Sequence, residues 1–371
     1  MQHLSLGSRR HQGISTKFRG CQGQVEVNGE LPDEIDAGRT FKRVLDLLDA
    51  DVPTPVVNVI SVENTSAGGP VPASELTRSL GISPSKRAAL PYGAYVDGYA
   101  VFIWFDDAAE SHAVERVLAH EFVHFVQQRT DSFSAVADGN AAETTDEHIT
   151  KRSVEEGVAM YAEAVYADRY LDGQEDEHRP RFAEIDTALR FSRAPYHYGE
   201  QYVETQIDDP ADHELLYENP PENSGAILHG ELTDGPSIEL SIDLPSSWHS
   251  VVEDRTGEVY LRTALSDGFP YEDAAELATG LVDDQAVAFV DGDETVSAWA
   301  FRWETEGDAE AVAEGFDRFL DDRNVVCGSD EYECGFIVER PSDRSVSVAI
   351  GPEKVVDGLS VTERDGIVYV E

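Results

Sequence analysis

The sequence predicts a folded α+β protein. Hydrophobic residues make up 41% of the 371 positions, and they recur with helical or strand periodicity, which argues against an intrinsically disordered chain. Helical and strand patterns are interspersed along the chain, without an internal repeat, a phosphate-binding Gly loop or a Ser nucleophile motif. The length is sufficient for a sizeable core and for one large or two modest domains.

We divide the chain into four parts. A polar, Gly-rich arm covers residues 1–29, a first domain covers 30–205, a connector covers 206–247, and a C-terminal α+β part covers 248–371. The connector is rich in Pro, Asp and Glu, a composition typical of surface segments.

The first domain is predicted to alternate strands and helices. An acidic, Ala-rich insertion at 131–150 separates its last two helices. In chain order we predict a helix at 39–50, strands at 56–62 and 99–105, and helices at 111–129 and 153–171.

The C-terminal part is predicted to contain a hairpin that turns at Asp291-Gly292. Cys327 and Cys334 bracket a short polar segment between two strand-like runs, so their spacing predicts a disulfide that closes a hairpin. The other predicted elements are helices at 257–265, 271–281 and 308–320, hairpin strands at 285–289 and 296–303, and strands at 335–339, 345–350 and 367–370.

The charge balance predicts adaptation to concentrated salt. Asp and Glu total 73 against 28 Lys and Arg, of which five are Lys, and the formal charge is −45. The acid is spread along the whole chain, so its self-repulsion is screened only at high ionic strength. We expect an extreme halophile as the source.

Nucleic acids and anionic membranes are not expected partners, because they would repel so acidic a protein. Without a run of about 18 apolar residues we also expect no transmembrane segment. The oligomeric state is not predicted.

The strongest functional pattern is His120-Glu121-x-x-His124. Residues four apart share one face of a helix, so both imidazoles can bind one metal ion while Glu121 projects toward a bound water. With 11 His in the chain, about 0.03 such matches are expected by chance. The apolar stripe of the helix at 111–129 places the histidines on the opposite face, so we predict an open site facing a cleft. A buried helix whose histidines are only hydrogen-bonded is the alternative.

Glu156 is the predicted third metal ligand, since a catalytic zinc normally has three protein ligands and a water. It directly precedes Gly157. A helical Gly costs about 1 kcal/mol relative to Ala, a cost usually accepted where a helix or a metal approaches the backbone closely. Glu155 and Glu163 are the rival ligands. No Cys lies near these residues, which argues against a closed structural zinc site.

With these residues the chain resembles the zincin metallopeptidases, in the gluzincin arrangement that completes a helical His-Glu-x-x-His with a Glu from a second helix. The segment 118–128 and the Glu156-Gly157-x-Ala159 motif are also similar to a poorly characterised group of haloarchaeal surface zinc peptidases. Less specific matches extend over residues 40–325. The resemblance implies a zincin-like catalytic domain in 30–205, Zn²⁺ as cofactor, and a peptide or protein as substrate.

The resemblance also implies a hydrolytic mechanism. Zn²⁺ held by the two histidines and Glu156 would polarise a water, and Glu121 would accept its proton as general base and pass it to the leaving amine. A further donor would stabilise the oxyanion. The candidates for that donor are Tyr196, His197, Tyr198 and His229, of which we select Tyr198 and His229.

One departure from the resembled group favours a different function. Gly225-Ala226 stand where polar residues, typically Glu-Gln, are expected before Ile227-Leu-His229. The alternative hypothesis is therefore a catalytically inactive zincin-fold protein that binds a partner at the surface of a halophile.

The resemblance favours an extracellular or cell-surface location, with a cytoplasmic location as the alternative. Cys21 after Gly20 faintly resembles a lipoprotein processing site, and Arg9-Arg10 a twin-arginine signal. Residues 1–30 contain no apolar core of the kind that signal peptides need. We therefore expect either a cytoplasmic protein or a signal region upstream of Met1.

Overall fold

The computed structural model describes residues 24–61, 74–82, 91–137, 142–174, 181–230, 235–323, 325–328 and 333–371. Helices and three small sheets make up these residues, which confirms the α+β class. The signal-like features at Arg9-Arg10 and Cys21 lie outside the described residues.

The elements fall into two runs along the chain. Up to residue 230 they are β1 (Glu26–Asn28), α1 (Ala37–Leu47), β2 (Val56–Val59), α2 (Glu75–Ser79), β3 (Tyr92–Asp97), β4 (Ala100–Phe105), α3 (Ser111–Gln127), α4 (Thr145–Tyr170), α5 (Thr187–Gln206), α6 (Glu214–Glu218) and α7 (Ser224–His229). They continue as β5 (Glu239–Ile242), β6 (His249–Asp254), α8 (Gly257–Leu265), α9 (Tyr271–Ala278), β7 (Leu281–Asp291), β8 (Glu294–Trp303), α10 (Glu306–Asp321), β9 (Cys334–Ser342), β10 (Ser345–Pro352), α11 (Glu353–Val356), β11 (Val361–Arg364) and β12 (Ile367–Val370).

The first sheet has the order β1-β2-β4-β3 and is parallel except for the antiparallel edge strand β3. Its edge strand β1 consists of residues that were predicted to belong to the polar N-terminal arm, so the ordered structure begins earlier than expected. β4 leads into α3, as the sequence predicted. Phe41 of α1 packs edge-to-face against Phe122 and Phe125 of α3, with ring centroids 5.1 and 5.9 Å apart. These contacts bury the apolar stripe of α3.

α4 packs against both α3 and α5 beside this sheet. α4 and α5 make their closest approach at Gly157 and Gly199, where an added Cβ on either residue would overlap the backbone of the other helix. The prediction that Gly157 marks a close backbone approach is confirmed. α4 begins at Thr145, earlier than predicted, because the Thr144 side chain caps it by accepting from the amide of Glu147 at 3.2 Å.

The second sheet is antiparallel, with the order β6-β7-β8-β10-β9. β7 and β8 form the predicted hairpin, and Gly292 takes a φ of 59° in its turn, a conformation that glycine adopts without strain. α10 covers the sheet, with Phe316 stacked 5.5 Å from Phe301. Cys327 and Cys334 form the predicted disulfide, but it does not close a hairpin: β9, which begins at Cys334, pairs with β10, and Gly328 bridges to Glu294 of β8. One hydrophobic cluster runs from the first sheet through the helices into this sheet.

The connector contributes regular structure to both parts of the molecule. α6 and α7 lie within it, and α7 packs against α4 and α8. β5 pairs in parallel with β12, which itself pairs antiparallel with β11, to form the third sheet. Within the described residues, no helix is long and apolar enough to cross a membrane.

Candidate metal centre

α3 and α4 bring the predicted ligands together. Nε2 of His120 lies 3.0 Å from Nε2 of His124, and Oε2 of Glu156 lies 3.3 Å from the first of these nitrogens and 3.1 Å from the second. All three side chains are buried, and their ligand atoms are mutually within 4.8 Å. Two imidazoles and one carboxylate so arranged could hold a metal ion, and the chemistry of this donor set suits zinc.

Gln127 determines the orientation of the His124 ring. The fully buried Gln127 amide donates from Nε2 to the carbonyl oxygen of Glu155 at 2.8 Å and to the hydroxyl of Tyr217 at 2.9 Å. A carbonyl oxygen only accepts, so this contact places Oε1 of Gln127 toward Nδ1 of His124, 2.7 Å away. Nδ1 must therefore carry the proton, and the lone pair of Nε2 faces Glu156.

Glu163 lies next to Nδ1 of His120, as Gln127 lies next to Nδ1 of His124. Its Oε2 is 3.2 Å from Nδ1 of His120, at ion-pair distance but without hydrogen-bond geometry. Arg116 donates from Nε to the other oxygen of Glu163 at 3.0 Å and from a second nitrogen to the carbonyl of Gln174. This carboxylate favours a proton on Nδ1 of His120, which leaves Nε2 to face the metal position.

The three ligand atoms therefore meet as acceptors. When both rings are neutral and carry their proton on Nδ1, neither Nε2 has a proton to share with the carboxylate of Glu156. Buried acceptors facing one another require a cation, either a metal ion or added protons. Burial lowers the pKa of His120, but hydrogen bonding and the charges of Glu156 and Glu163 outweigh it and raise the pKa to about 10. The residues present thus fit a divalent metal ion.

Glu156 is distinguished from its two rivals by position. Its second oxygen, Oε1, forms an ion pair with Arg152. Glu155 turns its Oε2 to the same arginine, 2.5 Å away, and contributes its backbone carbonyl to Gln127. Glu163 contacts the far side of the His120 ring. Burial raises the pKa of Glu156, but the two imidazoles and Arg152 outweigh it and hold the pKa well below its usual range.

Glu121 lies on the same turn of α3 and is buried. Burial raises its pKa, and the positive charges that His124 and His120 can carry oppose that rise. A carboxylate with a raised pKa is better suited to accept and release a proton near neutral pH. The structure thus has a proton acceptor next to the three ligands.

Tyr196 of α5 is the aromatic residue that contacts the ligands. Its ring stacks on the His120 ring, with centroids 6.3 Å apart and planes 16° from parallel. Burial, followed by the charge of Glu156 and hydrogen bonding to it, raises the pKa of the hydroxyl far above its usual value, so Tyr196 stays protonated as a donor. Tyr196 is one of the four donor candidates in the sequence but not one of the two selected from it. α5 is difficult to predict from the sequence, because it contains Pro195 and interior prolines usually disrupt helices.

The two selected donors have other partners. The hydroxyl of Tyr198 is hydrogen-bonded to that of Tyr271, and Arg262 lies over its ring. Nε2 of His229 lies 3.0 Å from Glu258, which also accepts from Arg262 at 3.0 Å. Tyr198 and His229 thus approach the same arginine, but no described contact joins either of them to the three ligands.

The surroundings of the centre differ from the open cleft expected from the sequence. His120, His124 and Glu156 are 8, 9 and 2% exposed, because α4 and α5 cover the face of α3 that carries the histidines. Gly225 of α7 lines a separate cavity of about 230 Å³ beside α4 and α8, together with Glu258. The departure from the expected polar residues at Gly225 therefore affects that cavity and not the direct surroundings of the ligands.

The C-terminal part of the chain matches a known family model. A family model described as a domain of unknown function, DUF8575, matches residues 246–360. This segment contains the second sheet with α8, α9 and α10, and all three candidate ligands lie outside it. No curated protein and no solved structure matches the chain.

Proposed function

We propose that the protein is a zinc-dependent peptidase of the zincin type, adapted to concentrated salt, in which His120, His124 and Glu156 hold the metal. The observation that carries this proposal is the convergence of three buried ligand atoms, with Gln127 hydrogen-bonded to Nδ1 of His124 and Glu163 at ion-pair distance from Nδ1 of His120. Such an arrangement is unstable without a cation and matches the two-His, one-carboxylate set of hydrolytic zinc sites.

The chemistry follows from the residues around the ligands. When bound, Zn²⁺ would supply Lewis acidity and lower the pKa of water toward neutrality. Glu121 takes the proton from the attacking water and delivers it to the leaving amine. Its burial lets it hold that proton between the two steps. Tyr196 donates from its hydroxyl to the oxyanion that forms from the substrate carbonyl.

The direct test compares zinc content and hydrolysis in the same preparations. Wild-type protein in multimolar KCl is expected to contain one zinc per chain and to hydrolyse casein. Glu121→Gln is expected to keep the zinc and to lose hydrolysis by several orders of magnitude, because the proton acceptor is gone. His124→Ala is expected to lose zinc, whereas His112→Ala on the same helix is the matched control, since His112 pairs with Glu110 and not with the ligands.

Two results would overturn the proposal. Wild-type protein without zinc after growth in zinc-replete medium would eliminate both the site and the mechanism. Stoichiometric zinc without hydrolysis of casein or of a broad peptide library would favour the second candidate, a zincin-fold binding protein. The burial of the ligands is the observation that favours this second candidate.

A further inference from the structure

We propose that Arg193 binds a substrate carboxylate beside the metal centre, so that the preferred substrates are peptides with an acidic side chain or a free C-terminal carboxylate near the cleaved bond. This inference rests on the function proposed above and adds the class of substrate. It is carried by the position of Arg193, by its lack of a hydrogen-bond or ion-pair partner among the described residues and by the chemistry of its guanidinium.

Arg193 lies next to the candidate oxyanion donor. It precedes Tyr196 by three residues on α5, so the two side chains share a face of the helix. The Arg193 guanidinium carbon lies 5.3 Å from the centroid of the Tyr196 ring. Tyr196 stacks in turn on His120, so the three side chains form a layered row that ends at a metal ligand. A group bound by Arg193 would therefore be separated from the metal ligand by the Tyr196 side chain, at the distance of a neighbouring substrate residue.

The guanidinium of Arg193 has no hydrogen-bond or ion-pair partner among the described residues, in contrast to the guanidinium groups of the arginines around it. Arg152 pairs with Glu155 and Glu156, and Arg190, one turn earlier on α5, donates to Ser266 and to the carbonyl of Ala183. Within the described part of the chain, Arg193 makes only the cation–π contact with Tyr196 and no ion pair. It is partly exposed. In a chain with a formal charge of −45, a free cation beside the ligands points to an anionic partner.

Because the proposed substrate is a peptide, the anionic group that the guanidinium would bind is a carboxylate. A planar guanidinium binds a carboxylate through two parallel hydrogen bonds, and its contact with the Tyr196 ring limits its rotation. In concentrated salt the Debye length falls to about 3 Å, so long-range repulsion between an acidic peptide and this acidic protein is screened. Direct hydrogen-bonded contact remains, and it would determine which peptides bind.

The test measures binding and does not depend on turnover. The zinc-loaded Glu121→Gln protein serves as the parent in multimolar KCl. Four fluorescent peptides share one sequence and carry a Glu or Gln side chain and a C-terminal carboxylate or amide, in all combinations. We expect the peptide with neither carboxylate to bind more weakly than at least one of the others by about 10-fold. The peptide with Glu and an amide end, and the one with Gln and a free end, distinguish the two sources.

The Arg193 variants connect that preference to the residue. Adding Arg193→Gln is expected to remove the preference without altering the neutral peptide, and Arg193→Lys to restore part of it. Arg318→Gln is the matched control, because Arg318 lies 5.2 Å over the Phe269 ring in the same kind of contact on α10. A preference that survives Arg193→Gln, or equal binding of all four peptides, would overturn the inference and leave the peptidase function intact. No binding of any peptide to zinc-loaded protein would overturn both.

Discussion

Gly157 and Gly199 hold α4 and α5 in backbone contact. A Cβ atom on Gly157 would lie 2.8 Å from Cα of Gly199, and a Cβ atom on Gly199 would lie 3.0 Å from Cα of Gly157. Side chains larger than hydrogen would separate the helices. Because Glu156 is adjacent to this contact and Tyr196 is one turn before Gly199, the glycine pair sets the distance between the third ligand and the candidate oxyanion donor.

The first prediction concerns this contact. Gly157→Ala is expected to lower the free energy of unfolding by about 1–3 kcal/mol, because the added methyl group meets backbone atoms that cannot rotate away. Zinc affinity is expected to fall with it, as α5 moves off the ligands. Chemical denaturation and zinc competition with a chelator measure the two effects. Gly307→Ala is the control: an added Cβ there meets nothing closer than 3.8 Å, and the helix propensity of Ala should stabilise α10. Equal effects of the two substitutions would contradict the prediction.

The second prediction separates two tyrosines that lie two positions apart. Tyr196→Phe is expected to lower kcat by about 10- to 1,000-fold, since the hydroxyl that would donate to the oxyanion is lost. Tyr198→Phe is expected to change kcat little, because the hydroxyl it loses is bonded to Tyr271. Steady-state kinetics with a peptide substrate measures both. A larger loss of kcat in Tyr198→Phe would restore the assignment made from the sequence.

The third prediction concerns the amide that orients His124. Gln127→Leu is expected to weaken zinc binding by about 10- to 100-fold, because Nδ1 of His124 loses its acceptor and Nε2 is no longer kept free of the proton. Competition with a chromogenic chelator measures the affinity without reference to activity. Gln128→Leu is the matched control, as Gln128 is the next residue and is exposed. Unchanged affinity in Gln127→Leu would mean that helix packing alone orients the ring.

The fourth prediction is a dependence of stability on pH. Burial raises the pKa of Asp284 to about 7, although the amides of Thr256 and Gly257 donate to its carboxylate at 2.8 Å and oppose the rise. The unfolded value is about 3.9, so folding favours the protonated form. Its contribution to stability is therefore full below about pH 4 and is lost as the pH rises through about 7.

The comparison with Asp284→Asn isolates that contribution. The free energy of unfolding of the wild type minus that of the variant is expected to fall by more than about 1.4 kcal/mol, the equivalent of one pKa unit, between about pH 5 and pH 8. Denaturation in multimolar KCl at the two pH values measures the difference. Asp293→Asn in the exposed turn between β7 and β8 should show no such trend. A difference that stays constant with pH would show that the hydrogen bonds of Asp284 prevail over its burial.

Local patterns in the sequence were sufficient to predict several features of the metal centre and of the C-terminal part. The spacing of His120 and His124 needs only a helix, and Gly157 next to Glu156 indicated a close helix contact that the structure contains. The disulfide between Cys327 and Cys334 and the hairpin at Gly292 followed from turn chemistry and spacing. These features depend on neighbours along the chain, so local reasoning applies to them.

The choice of oxyanion donor could not be made in that way. Tyr196, Tyr198 and His229 can all donate a hydrogen bond, and the choice among them depends on what the fold places beside each one. Stacking on His120 involves a residue 76 positions away in sequence, a distance no local pattern spans. The early start of α4 was different: Thr144 and Glu147 form a capping signature that local reasoning could have recognised.

The sequence alone thus determined the donor set and its helical spacing, together with the acidic character of the surface, because these depend on residue types and on intervals of a few positions. Only the tertiary structure decided that Gln127 and Glu163 lie against the Nδ1 atoms of His124 and His120, that Tyr196 approaches the ligands in place of Tyr198, and that the centre is nearly enclosed. The physical reason is that each of these depends on contacts between helices, and the backbone contact at Gly157 and Gly199 sets how closely two of those helices pack.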